Sequence, residues 1–169
     1  MGMFSKDIET LDDLFVHTLQ DIYYAEHQIL KALPKMIKKV SDSELREALS
    51  DHLDQTRIHV ERLEQVFEMH GAEVKAVDCP AIDGILKEAD EIVADVADKQ
   101  VLDAAIIAAA QAVEHYEITR YGTLATWAKQ LGHADCAAVL VETLDEEKEA
   151  DEILTDVAKG RVNAEAEAA

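Results

Sequence analysis

The chain has 169 residues, with 36 Asp and Glu against 16 Lys and Arg, for a net charge of −20. That length supports one domain with a real core, and that charge excludes the wrapping of nucleic acid, which needs clustered cations. With 49% hydrophobic but only 5% aromatic residues, and only 6 Gly and 2 Pro, the composition predicts an all-α protein.

The opening MGMFSKDIET lacks the basic stretch and apolar run of a signal peptide. Met3 and Phe4 after Gly2 make a poor lipid-anchor signal. Thr10 is placed to cap a helix whose first turn carries Asp12 and Asp13. The first long helix is predicted over about 11–40, with an inward stripe of Phe15, Leu19, Ile22, Glu26, Ile29, Leu33, Met36 and Val40. Pro34 should kink it or split off its end. Residues 41–44 supply turn and cap residues. The second long helix spans about 44–70 and stops at Gly71; its stripe is Leu45, Leu49, His52, Thr56, His59, Leu63 and Val66, with Gln55 beside it.

A connection follows, and Pro80 opens a shorter amphipathic helix to about residue 97. The third long helix covers about 100–131, with the stripe Ile107, Ala110, Glu114, Glu117, Tyr121, Leu124 and Ala128, and stops at Gly132. The fourth covers about 134–159, with Leu140, Leu144, Glu147, Asp151, Leu154 and Ala158 inward, and stops at Gly160. Residues 161–169 have little apolar content and should fray. No run of ~20 apolar residues occurs, so no membrane span is expected. Cys79 and Cys136 lie in different segments without paired spacing, which fits reduced thiols in a cytoplasmic protein.

Four long helices and one short one predict a single four-helix bundle domain. The long connection between the second and third helices carries the fifth helix along the bundle, a ferritin-like crossover. The helix midpoints fall on or between the inward polar residues. Helices of similar length packed side by side therefore bring Glu26, His52, His59, Glu114, Glu117, Glu147 and Asp151 to one buried layer. An isolated buried charge is too costly to keep. The carboxylates outnumber the imidazoles, and a pair of metal ions resolves the excess. Oxygen-rich ligands with one or two imidazoles suit iron, with manganese the alternative. A buried hydrogen-bonded network without metal is the competing structural reading.

The segments HTLQDIYYAEHQILKALPKM, HLDQTRIHVERLEQVFE, AAQAVEHYEITRYGTLATWAKQLG and ETLDEEKEADEILT resemble the YciE/YciF-type stress-response proteins of the ferritin-like superfamily. The resemblance spans roughly residues 8–158. It implies a homodimeric ferritin-like bundle with a di-iron centre, induced under stress; metal-centred redox chemistry on a small oxidant such as O2 or peroxide is the first functional expectation for such a layer. By position the expected metal-site residues are Glu26, His52, Gln55, Glu114, Glu117, Glu147 and Asp151. Gln55 stands where relatives usually carry a glutamate, and His59 is expected as a partner of a ligand rather than a ligand. Tyr23, Tyr24 and Tyr121 lie within a turn of the layer, either as core rings with a polar tip or as redox-active groups. His17, His27, His70, His115 and His133 are expected at the surface or at helix ends. The rival to metal-centred redox chemistry is a non-enzymatic dimer acting through protein partners. A DNA-protecting cage lacks support, since no basic terminal arm is present.

Overall fold

Thr10 fixes the start of the first helix through a reciprocal capping box. Its hydroxyl accepts the Asp13 backbone N–H at 3.0 Å, and its own N–H donates to the Asp13 carboxylate at 3.1 Å. Helix α1 (Leu11–Ile37) follows. The computed structural model describes residues 8–169. The expectations of no signal peptide and no lipid anchor at the extreme N-terminus lie outside the described residues. Pro34 does not split the helix, which runs on to Ile37. So close to the C-terminal end, the missing N–H costs one bond of the last turns.

Helix α2 (Ser43–His70) is capped by Asp42, whose carboxylate accepts the Leu45 N–H at 2.9 Å. It ends at Gly71, whose φ of +81° is left-handed and favours a residue without Cβ. Helix α3 (Pro80–Asp95) opens on its proline. Tyr24 ties α3 to α1 by donating to Asp83 at 3.0 Å. Asp98 caps helix α4 (Lys99–Gln130), and helix α5 (Ala134–Val157) follows a turn at Gly132, φ +86°.

The end of the chain corrects two expectations. Gly160 does not stop the fourth long helix, and residues 161–169 do not simply fray. The chain continues through a widened π-type turn, Ala158–Val162, in which the Asn163 N–H reaches the Ala158 carbonyl. A short helix α6 (Asn163–Glu167) completes it and packs on α4. Val162 is buried at 1% exposure, and the Arg161 guanidinium pairs with the Asp42 carboxylate. One apolar side chain and one ion pair thus order a segment whose average composition is polar.

Helix α1 packs on α2, α2 on α5, α5 on α4 and α4 on α1, so the four long helices surround a shared core. Helix α3 lies against α4 and α1. Phe15, Leu19, Ile22, Leu45, Leu63 and Ile106 are fully or almost fully buried there. Among the described residues no helix is long and apolar enough to cross a membrane.

Asp103, on α4, clamps the turn between α1 and α2. Its carboxylate accepts the Ser41 N–H at 2.8 Å, the Ser41 hydroxyl at 2.5 Å and the Asp42 N–H at 2.9 Å. Asp103→Ala strands the buried Asp42 N–H and should cost about 2 kcal/mol, because a buried unpaired donor loses its full desolvation penalty. Urea unfolding checks this through a lower midpoint at unchanged slope.

Candidate metal centre

Between their apolar ends, the four long helices each bury polar residues. Helix α1 contributes Glu26, α2 contributes His52 and His59, α4 contributes Glu114 and Glu117, and α5 contributes Glu147. Glu26, His59, Glu117 and Glu147 are fully buried, Glu114 is 2% exposed and His52 5%. Helical spacing explains the clustering: each residue replaces one apolar position in an inward stripe, so it is carried into the core with its neighbours.

The six side chains form two groups. His52, Glu114, Glu117 and Glu147 offer ligand atoms within 4.8 Å of one another, and so do Glu26, His59 and Glu147. Glu147 belongs to both. Its Oε1 lies 2.9 Å from His59 Nδ1, and its Oε2 lies 4.0 Å from His52 Nδ1. His52 Nε2 is 3.2 Å from Glu114 Oε1, and His59 Nδ1 is 3.6 Å from Glu26 Oε1.

These contacts are close but are not hydrogen bonds. Glu26 Oε2, both nitrogens of His52, His59 Nδ1, Glu114 Oε2 and both oxygens of Glu117 and Glu147 have no hydrogen-bond partner. Nine buried polar atoms without partners in one layer is far above what a folded protein tolerates. The 2.9 Å approach of His59 Nδ1 to Glu147 Oε1 lacks hydrogen-bond alignment. Facing lone pairs fit a cation held between them.

Electrostatics follows from the same burial. Desolvation pushes the Glu114, Glu117 and Glu147 carboxyls well above the ordinary range, and mutual repulsion adds to it: Glu147 acts on Glu114 and Glu117, and Glu26 on Glu147. Glu26 is raised by burial too, partly opposed by His59 and by the Tyr121 hydroxyl, which donates to its Oε1. Burial lowers His52 to about 4, with His59 repulsion second. Gln55 opposes that shift from beside the ring, without hydrogen-bond geometry.

The structure places three of the expected residues as follows. His59 is a member of one group, with its Nδ1 facing Glu26 and Glu147, rather than only a partner of a ligand. Asp151 has partners of its own beside the layer: Gln111 Nε2 donates to it at 3.0 Å, and His115 Nε2 lies 3.2 Å from it. Gln55 is half-buried and lines a cavity next to His52. Tyr23 donates to Glu64 at 2.8 Å and Tyr24 to Asp83, so of the three tyrosines near the layer Tyr121 is the one bonded into it.

Sequence reading missed Glu146 and Arg62. Arg62 grips Glu146 through two N–H donors at 2.7 and 2.9 Å, and Glu146 Oε2 sits 2.8 Å from His59 Nε2. The hydrogen bond from Arg62 is the largest influence holding the Glu146 carboxyl below its ordinary range. This chain fixes the ring so that Nδ1 faces the layer, as carboxylates do behind metal-bound histidines. The only signal in the sequence was Arg62 three residues after His59.

Comparison with known proteins agrees with the resemblance read from the sequence. Residues 10–167 match the family described as a domain of unknown function, DUF892. Protein YciF of Escherichia coli is 45% identical over 162 residues, covering 95% of this chain and 98% of YciF. The crystal structure of that stress protein superposes with a TM-score of 0.88 over 92% of this chain and 99% of its own. The YcfI structure from Rhodopseudomonas palustris is 56% identical, with a TM-score of 0.88 over 90% of this chain and 98% of its own. By the span of the family match and the identity to YciF, the chain belongs to the DUF892 family.

Proposed function

We propose that this protein is a ferritin-like four-helix bundle that binds two metal ions in its buried layer and serves in a stress response. The observation that carries the reading is the layer of nine unpartnered nitrogen and oxygen atoms in two groups that share Glu147. His52, Glu114 and Glu117 would hold one ion, Glu26 and His59 the other, and Glu147 offers one oxygen toward each group. The carboxylate-rich donor set favours iron, with manganese the alternative.

When bound, such ions supply electrons or electron holes for chemistry on O2 or peroxide. The chain's own residues bind and orient. Glu146 and Arg62 set the His59 ring, Tyr121 fixes Glu26, and the apolar ends of the four stripes exclude water from above and below. The stress role is drawn from YciF, described as a stress protein. Dimer formation and a cytoplasmic site belong to the same reading; the buried free thiols Cys79 and Cys136 fit a reducing compartment.

A second reading has one observation behind it: YcfI is described as a proposed structural protein. In that reading the layer fixes helix register and the protein acts through partners without metal. Anaerobic calorimetric titration with iron(II) and with manganese(II) separates the two. About two ions per chain are expected. Failure of either metal to bind the folded protein would leave the structural reading.

A further inference from the structure

A cavity of about 540 Å³ opens between α2 and α5 and leads down to His52 and Glu114. Its rim is acidic: Glu44, Glu47 and Asp51 from α2, Glu149 and Asp156 from α5, all exposed. The steps of three and four residues along α2, and of seven (two turns) along α5, put each set on one helix face. No lysine or arginine is among the lining residues. Arg161 comes within 3.6 Å of Glu44 at one end, where it is engaged with Asp42.

A solvated acidic face alone would mean nothing. The floor supplies the independent observation. His52 is 95% buried by its 5% exposure, it lines the cavity, and neither of its ring nitrogens has a hydrogen-bond partner. Glu114 Oε2, beside it, is also without one. Buried, unpaired ligand atoms at the bottom of an acidic funnel face whatever comes down it.

We infer that this funnel is the route and staging site by which hydrated divalent cations reach the buried layer, with His52 and Glu114 as the first side chains to replace their water. The inference rests on the metal-centre reading. Rim carboxylates in low-dielectric walls focus the field and raise the local concentration of dications, an effect worth about 10- to 1,000-fold in on-rate. The same field turns anions away. Leu49, Leu154 and Val157 line the buried part and offer no competing ligands.

The test is stopped-flow mixing of metal-free protein with cobalt(II) alone, followed by the absorbance change as the ion leaves water for protein ligands. Wild type is compared with two triple variants that each remove three negative charges. One is Glu47→Gln with Asp51→Asn and Glu149→Gln, on the rim. The other is Glu88→Gln with Asp90→Asn and Glu91→Gln, on α3. All six positions are exposed, so the fold survives both. The rim variant should load about tenfold more slowly at low salt, with the gap closing toward molar salt as screening sets in, and with the same final stoichiometry. The α3 variant should load within about twofold of wild type. Wild-type loading by the rim variant, or equal slowing by both variants, overturns the funnel while leaving the metal centre standing. No cobalt uptake by wild type overturns the centre and the funnel with it.

Discussion

Glu147→Gln should weaken binding of both metal ions by at least about a hundredfold while making the metal-free protein more stable. Removing an outer partner of a metal ligand already costs about 10- to 100-fold, and Glu147 offers an oxygen to each of two ligand groups. The stability gain follows from burial. In the metal-free protein near neutral pH, the raised Glu147 carboxyl must either take up a proton or sit charged among Glu26, Glu114 and Glu146. Protonating a carboxyl of ordinary pKa near 4.3 at pH 7 costs up to about 3.7 kcal/mol. A glutamine has nearly the same shape and carries no such cost, though its amide donors recover only part of it in so crowded a site. About 1–2 kcal/mol of gain corresponds to a melting temperature higher by roughly 2–8 °C. A structural layer predicts the reverse, because a side chain kept for register should be missed when altered. Calorimetric titration and thermal melting on one preparation decide between them. A less stable variant with unchanged metal affinity would end the metal-centre reading.

The parts of this fold visible in the sequence were those set by local rules. Thr10, Asp42, Gly71, Pro80 and Gly132 mark helix ends because their side chains or missing Cβ act within three or four residues. Glu26, Glu114, Glu117 and Glu147 were legible because each interrupts a long apolar stripe, and the stripes fix both face and height. What stayed hidden depends on helix rotation. Asp151 lies one turn beyond Glu147 on nearly the same face, yet Gln111 of α4 is near enough to claim it. His59 enters the layer because Glu146, next to Glu147 on α5, holds its far nitrogen. Asp103 looks like any acidic residue at a helix start until the turn at Ser41 is folded against it. The helical turn beyond Gly160 was hidden because glycine is permissive, and buried Val162 outweighs its preference for an end.

The metal-induced rise in melting temperature should grow from pH 5 to pH 8. The carboxyls of Glu26, Glu114, Glu117 and Glu147 are raised in the folded protein, mainly by burial. Above the unfolded value near 4.3, the folded state therefore binds more protons than the unfolded one. Stability of the metal-free protein then falls as pH rises toward the folded values, by up to about 1.4 kcal/mol per unit for each group still holding its proton. His52 works the other way. Its folded value of about 4 lies below the ordinary 6.5, so it contributes stability above 6.5 that is lost as pH drops toward 4. One imidazole offsets at most one carboxyl, and only below about pH 6.5. The net slope stays negative, and it is cleanest between pH 6.5 and 8. Metal binding requires the ligands deprotonated, so affinity climbs over the same interval. A ligand held at a hundred times its dissociation constant adds about 2.7 kcal/mol, and each unit of pH moves the system further toward that regime. Melting curves with and without manganese(II) at pH 5, 6.5 and 8 measure the effect, and taking the difference at each pH removes the background from the rest of this acidic chain. A shift that is absent, or the same at pH 5 as at pH 8, would mean that no deprotonation accompanies binding in this layer and that its carboxyls are held by one another instead.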